Sequence, residues 1–327
     1  MSETLKDLRK ELEEADRRID EAVAARQQLA ARLAALERDD RPGGRLRVGY
    51  QGGAGAYSYL AAFEHFADRR GDLDCVGFRT FREMTDAVEG GSIDYGMLPV
   101  ENTTAGSINQ AYDLLARANV AAVGEHLFHV EHCLVALEPV ALSDLRRIAS
   151  HPQALEQCSE FIATLPDCEV EAYVDTAMAV SKLVRDGDNR QAAIASREAA
   201  RRHGLEILKR GIANQKENYT RFLVVAREPV ACGLETPCKT SLVFATRHEK
   251  GALARCLNLL AERDLNLTKL ESRPRPEMPW QYLFYVDVEG NLAAPETARA
   301  VEELGPLTSF LKVLGSYPAH AARPPQH

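Results

Sequence analysis

Residues 93–107 read Ile93-Asp94-Tyr95-Gly96-Met97-Leu98-Pro99-Val100-Glu101-Asn102-Thr103-Thr104-Ala105-Gly106-Ser107, an apolar run that breaks into a dense polar loop. Ile93–Val100 predicts a buried strand, and 107–118 predicts a helix. The same unit of strand, polar junction and helix recurs on both sides. Leu46–Tyr50 leads through Gly52–Ser58 to a helix near 58–69, and a strand at Cys75–Thr80 precedes a helix at 81–90. Further strands are expected at 120–124, 130–136, 145–149, 169–174, 191–195 and 219–226, with helices at 153–164, 176–186 and 196–203. Strands alternating with helices specify a mainly parallel α/β sheet, and their number suggests two lobes.

Outward from this block the period changes twice. Residues 4–38 hold no Gly or Pro and repeat every seven: Leu5, Leu12, Ile19, Arg26, Leu33 and Leu8, Ala15, Ala22, Leu29, Leu36. That is a heptad seam on a long helix, which must pack on another helix to bury anything. Arg26 interrupts the seam, either as a stem that leaves the interface or as a cation aimed at an anionic ligand. Asp39–Gly44 stops the helix, and Glu228–Lys239 is a second linker. After it come strand 240–247, helix 251–263, strands 266–274 and 281–288, helix 295–304 and strand 309–316. This order is βαββαβ, a ferredoxin-like split unit. The tail from Pro318 is expected to fray.

The chain has 327 residues, roughly two domains' worth at about 150 each. Its 40 basic and 48 acidic residues give a net charge of −8, with no global attraction for nucleic acid or an anionic membrane. No apolar run approaches the roughly 18 residues of a membrane span, and the charged N-terminus lacks a signal-peptide core, so a cytoplasmic protein is expected. Seven cysteines without a C-x-x-C pair read as buried or idle thiols.

Each junction carries a structural and a chemical reading. Backbone N–H groups of Gly52–Ser58 suit a carboxylate or phosphate, or simply make a tight turn; the stretch is neither a dinucleotide fingerprint nor a P-loop. Pro99–Ser107 can orient a small polar ligand at the carboxyl end of a sheet, or cap a helix through Thr104 or Ser107. Ser150-His151-Pro152-Gln153, with Gln157 one turn on, and Asp175-Thr176-Ala177 repeat the arrangement. In Asn218-Tyr219-Thr220-Arg221-Phe222, Arg221 can grip a carboxylate and Thr220 can donate to a leaving oxygen; the alternative is an ordinary edge strand. His126, His129 and His132 lie three apart, so on a strand they cannot share one metal.

Taken together these residues resemble the prephenate dehydratase family, over about 46–318. The resemblance rests on Gly52–Ser58, the 99–106 run, Ser-His-Pro-Gln at 150–153, Asp-Thr-Ala at 175–177 and Asn-x-Thr-Arg-Phe at 218–222. The runs Gly251–Leu253 and Glu271–Pro274 resemble that family's C-terminal ACT regulatory domain. The resemblance implies an α/β catalytic domain at 46–230, two-lobed like periplasmic binding proteins, with the substrate in the cleft. Lobe one would be 46–124 plus 215–230, and lobe two 125–214. Thr220 would be the main catalytic residue, with Asn102, Ser150 and Gln157 beside it. Substrate contacts would come from Gly53, Ala54, Ser58, Glu101, Thr103, Thr104, Thr176, Arg221 and Phe222. An α+β ACT domain at 240–318 would bind phenylalanine near Gly251, Ala252, Leu253, Asn266, Glu271, Ser272, Arg273 and Pro274, at an interface of a homodimer or homotetramer. No metal or organic cofactor is implied. Asp264 stands where similar chains often carry Gly, and Asp tolerates a left-handed backbone.

The implied activity is decarboxylating dehydration of prephenate to phenylpyruvate in phenylalanine biosynthesis, inhibited by phenylalanine. The helix of 1–41 resembles the first helix of the chorismate mutase domain fused to some members. Arg9 and Arg26 fall on active-site arginines, but Glu37 stands where lysine is expected, and the linker comes before two further helices can form. A separate mutase is then an expected partner. The competing expectations are a bifunctional mutase–dehydratase, an arogenate dehydratase and a non-catalytic amino-acid sensor.

Overall fold

The computed structural model describes residues 44–165, 167–275, 278 and 280–320, together with Glu14, Arg18 and Leu29, which are helical. The heptad seam otherwise, Arg9, Arg26, Glu37 and the tail beyond 320 lie outside the described residues.

Lobe one begins with β1 (Leu46–Gln51), α1 (Tyr57–His65), β2 (Leu73–Phe78), α2 (Phe81–Glu89), β3 (Tyr95–Asn102), β4 (Gly106–Ser107), α3 (Asn109–Arg117) and β5 (Ala121–His129). Lobe two follows with β6 (Cys133–Ala136), β7 (Arg147–Ser150), α4 (Pro152–Gln157), α5 (Ser159–Ile162), β8 (Glu169–Ala172), α6 (Thr176–Asp186), β9 (Gln191–Ala195), α7 (Arg197–His203) and β10 (Glu206–Arg210). The chain returns to lobe one as β11 (Tyr219–Ala226). The helix starts follow local chemistry: the side chains of Thr80, Asp175 and Ser196 each accept the N–H three residues on, from Glu83, Met178 and Ala199. Gly187 and Gly204 end α6 and α7 in the left-handed conformation.

The first sheet runs β2-β1-β3-β11-β5 and the second β10-β6-β9-β7-β8. Both are mixed, which corrects the expectation of mainly parallel sheets. β1 is parallel to β2 and β3, but β11 is antiparallel to β3 and β5. The reason is connectivity: β1, β3 and β5 run toward the cleft, and β11 starts from it on the way back from lobe two. The crossings fall at 130–132 and 211–218, because β5 continues to His129 instead of ending at 124. The helix expected at 153–164 is broken at Cys158, and β10 is a strand the sequence reading lacks.

The C-terminal unit is β12 (Cys238–Thr246), α8 (Ala252–Glu262), β13 (Asn266–Pro274), β14 (Tyr282–Glu289), α9 (Pro295–Leu307) and β15 (Thr308–Pro318). Its antiparallel sheet, in the order β13-β14-β12-β15, covers a core of Leu242, Phe244, Leu260, Val286 and Leu304 under the helices. Asp264 turns α8 into β13 with φ 54°. The opposite face of this sheet is not free. Val243, Tyr285, Leu314 and Tyr317 join one apolar core with Leu98, Val100, Leu223 and Val225 of lobe one. At Gly315 the strand passes so close to Ala122 that a Cβ would overlap its carbonyl. Beyond Pro318 the chain stays tied at first: Ala319 N–H donates to the Pro237 carbonyl and His320 N–H to Glu125.

Candidate active site

A cleft between the lobes has two chambers, of about 630 Å³ and about 140 Å³, which share His151, Gln153 and Gln157. Thr104, Asn214 and Asn218 line the larger; Tyr57, Ser58, Asn102, His132, Asp175, Thr176 and Thr220 line the smaller. Most of these residues come from the four junctions and the return strand, because the carboxyl ends of the strands converge there, while His132, Asn214 and Asn218 come from the two crossings between the lobes.

A bulge aims the central pair. Thr220 pairs with Asn102 and Arg221 with Glu101, but Phe222 pairs with Pro99, so Val100 is the extra residue in β3. Val100 packs in the same core as Leu98, and Glu101 faces that side too, against Lys269 (3.1 Å). Without the bulge, regular alternation through Leu98, Val100 and Asn102 would send Asn102 to that face as well. With it, Asn102 joins Thr220 on the cleft side.

Asn102 is buried and fully used. Its Oδ1 accepts from Thr104 N–H (3.0 Å), Ala105 N–H (2.9 Å) and the Thr104 hydroxyl (2.7 Å). Its two Nδ2 protons are shared among Asn218 Oδ1 (2.8 Å), the Tyr219 carbonyl (3.1 Å) and Thr220 Oγ1 (3.1 Å). Thr220 therefore accepts from an amide, which polarises its O–H, and among the described residues no acceptor takes that proton. Gln157 ties the shell together: Nε2 donates to Thr104 Oγ1 (2.6 Å), while Oε1 accepts from His132 Nε2 (2.8 Å) and Asn218 Nδ2 (3.0 Å). Burial pulls the His132 pKa below its usual value, so the ring is neutral. With its proton on Nε2, Nδ1 accepts from the Tyr57 hydroxyl at 2.8 Å, whose one proton is shared with the Glu131 carbonyl at 3.0 Å. Burial pushes that phenol well above its usual pKa, so it stays a donor.

The lobes are drawn together around the cleft. Ser196 Oγ of lobe two donates to the Gly55 carbonyl (2.8 Å), and Arg202 lies 4.6 Å over the Tyr59 ring. Gly52 needs its φ of 105° for the turn, where Asp175 stands close by.

Of the expected catalytic residues, Thr220, Asn102 and Gln157 meet. Ser150 does not: it is sealed, and its Oγ donates to the Ile194 carbonyl at 2.6 Å, because it is still inside β7 and packs between strands. Its neighbour His151 reaches the cleft instead. Among the expected substrate contacts, Ser58, Thr104 and Thr176 line the cleft. Gly53 and Ala54 do not line it, Ala54 being exposed on the turn. Thr103 bonds to the Glu217 carbonyl and Tyr219 N–H away from it. Phe222 is buried in the core under α1. Glu101 and Arg221 point to the opposite face, one to Lys269 and the other to Glu125 and Asp287, since neighbouring residues of a strand face opposite sides.

The residues missed as cleft components include Tyr57, His132, His151, Asp175, Asn214 and Asn218. Four of these sit inside quoted motifs, but nothing in the sequence marks His132 or Asn214. His126 and His129 take no part: His126 packs against His65 and His320, and His129 against Tyr219. Among the described residues no group of three His, Cys, Asp or Glu side chains is placed to hold a metal ion.

In the C-terminal unit, Gly251, with φ 74°, starts α8, ahead of Ala252 and Leu253. The register Phe244–Phe284–Ser272 brings this point and Glu271–Pro274 to the same end of the sheet, while Asn266 lies at the other end opposite Glu289. Glu271 accepts from Ser107 Oγ (2.6 Å), and Arg273 holds Asp113 (2.9 Å), so both face lobe one.

No described helix is long and apolar enough to cross a membrane. The prephenate dehydratase family profile matches residues 48–230. Over 280 residues, 85% of this chain and 72% of the relative, the sequence is 39% identical to the bifunctional chorismate mutase/prephenate dehydratase of Enterobacter agglomerans. Among solved structures, the prephenate dehydratase from Arthrobacter aurescens in complex with L-Phe aligns with a TM-score of 0.77 at 27% identity, over 84% of this chain and 90% of that one. A protein described as GqqA, a novel type of quorum quenching acylase, aligns with a TM-score of 0.76 at 35% identity, over 85% of this chain and 100% of that one. With its motifs gathered in one cleft and the profile covering more than half of its length, this chain belongs to the prephenate dehydratase family.

Proposed function

We propose that the cleft converts prephenate to phenylpyruvate, with Thr220 as the catalytic donor. The observation that carries this is the Thr220 hydroxyl, polarised by Asn102 and offering its proton to the smaller chamber. Prephenate loses its ring carboxylate as CO2; the electron pair of that bond becomes ring π density, and the ring hydroxyl departs. A donor at the departing oxygen lets it leave as water, and aromatisation drives the reaction. The chambers' lining includes no Lys or Arg among the described residues. Weak solvation of the ring carboxylate favours its loss. The other carboxylate has the first turn of α1, whose start bears no side-chain cap, with Ser58 beside it. Asn102, Gln157, Thr104, Asn218 and His132 hold the donor in place.

The C-terminal unit acts as an ACT domain in this reading, taking phenylalanine where two copies of the chain meet, near Gly251–Leu253 and Glu271–Pro274. Support comes from the L-Phe complex of the Arthrobacter relative and from the hold of Glu271 and Arg273 on lobe one. A coupling of about 1–3 kcal/mol is typical of such links, so saturating phenylalanine lowers activity about 5- to 150-fold. Prephenate comes from a separate chorismate mutase, because Glu37 replaces the expected lysine. An acylase reading is weaker: among the described residues no base contacts Thr220, and the histidine of the network, His132, is already bonded to Tyr57 and Gln157.

The test mixes purified protein with prephenate, arogenate or chorismate and follows phenylpyruvate or phenylalanine, with and without added phenylalanine. Phenylpyruvate from prephenate is expected, and chorismate persists. A flat trace with both prephenate and arogenate, alongside bound phenylalanine, would favour the sensor.

A further inference from the structure

The residue after Thr220 carries a buried ionic cluster that spans two units of the fold. Each nitrogen of the Arg221 guanidinium has its own partner: Nε meets Glu125 Oε2 on β5 (2.8 Å), Nη1 meets Asp287 Oδ2 on β14 (2.5 Å), and Nη2 meets the Tyr317 hydroxyl on β15 (3.0 Å). The partners are themselves fixed. Asp287 Oδ1 accepts from Ser241, Ser241 contacts the Tyr317 hydroxyl, and Glu125 takes Lys239 Nζ (2.9 Å) and the His320 N–H. Glu125 is fully buried at its side chain, and those of Arg221 and Asp287 are 11% and 9% exposed.

Such a cluster is a poor device for docking alone. Burying charges costs desolvation that apolar residues of the same size avoid, and an apolar core already joins the two units here. What the cluster adds is geometry. Thr220 is the second residue of β11, where the ladder is ending, and Tyr219 before it is exposed. A planar fork held at three points one residue away fixes the strand end in a way the apolar contacts cannot.

We propose that Arg221 is the positioning residue of the dehydration, holding Thr220 on line with Asp287 of the C-terminal sheet as its anchor; this rests on the reading of the cleft as a prephenate site. The C-terminal unit is thus part of the catalytic framework. Arg221 itself touches no reacting atom.

The experiment measures prephenate turnover for wild type, Arg221→Lys and Asp287→Asn, and for Asp287→Asn in a Thr220→Val background, on the full chain. A misplacement of about 1 Å costs about 100-fold, so Arg221→Lys and Asp287→Asn should lose about 10- to 100-fold in kcat with KM within about threefold. If Asp287 acts through Thr220, the Asp287→Asn change should cost less than about twofold once the hydroxyl is gone. Equal losses in both backgrounds, or a folded Asp287→Asn enzyme at wild-type kcat, would overturn the role. Should Arg221→Lys fail to fold, the Asp287 pair of measurements decides. An inactive wild type would overturn the reading of the cleft, and this role with it.

Discussion

Replacing Asn102 by Asp changes one NH2 into an oxygen and keeps the shape. The acceptor side survives, since Oδ1 still receives Thr104 N–H, Ala105 N–H and the Thr104 hydroxyl. The donor side inverts. The Tyr219 carbonyl keeps its bond from Thr103 N–H, and Asn218 can turn its amide only by giving up Gln157. One buried group left unpaired costs about 1–3 kcal/mol of stability. Thr220 has the simplest response: it turns its proton toward the new carboxylate and withdraws it from the substrate. Losing one transition-state donor costs about 100- to 1000-fold, or about 2.7–4 kcal/mol. Asn102→Asp should therefore fold, bind and turn over 100- to 1000-fold more slowly at neutral pH. The deficit relative to wild type should narrow as pH falls toward about 4, where the protonated carboxyl donates again. The assay is kcat for phenylpyruvate formation across pH, with unfolding measured in parallel. A folded Asn102→Asp enzyme with kcat within threefold of wild type at neutral pH would refute the argument that this amide polarises Thr220.

Ser150→Ala removes the hydrogen bond to the Ile194 carbonyl, so it should lower stability by about 1–2 kcal/mol while kcat falls less than about tenfold; denaturant unfolding beside turnover separates the two. Gly315→Ala forces a Cβ into the Ala122 carbonyl and should cost about 1–3 kcal/mol, visible as a lower Tm and faster proteolysis in the 228–239 linker. His126 is buried beside His65 and His320, and burial with those neighbours brings its pKa down to about 4. A depressed pKa means that the fold holds the neutral ring, so the contribution is complete above about pH 6.5 and lost as pH falls toward 4, by at most about 3 kcal/mol. His126→Leu should flatten the stability profile between about pH 6.5 and about pH 4.5; an unchanged slope would count against it.

The α/β character and the cleft junctions were legible because local signals carry them: strand, polar turn and capped helix start are written within ten residues of each other. Thr220, Asn102, Thr104 and Gln157 lie in those motifs, but it is the family resemblance, not the local signals, that singles them out. The faces were harder. Strand alternation by itself sets Arg221 against Thr220, but the side on which Asn102 falls depends on the extra residue at Val100, and a bulge leaves no mark in a sequence without Gly at that point. The partners of Arg221 lie 66 and 96 residues away, so by sequence alone its cation reads as a substrate contact. Ser150 and His151 differ by one position, and only packing determines which of them ends inside the sheet. By spacing alone His132 belongs with His126 and His129, yet β5 ends between His129 and His132 and sends the last ring into the cleft.

Prephenate turnover of wild type, Thr220→Ser and Thr220→Val, measured side by side, decides whether the Thr220 hydroxyl is the proton donor. The prediction is that wild type releases phenylpyruvate, Thr220→Ser keeps a substantial share of that rate because the hydroxyl remains, and Thr220→Val loses about 100- to 1000-fold or more with its fold intact. Thr220→Val turning over at a rate close to wild type would contradict it.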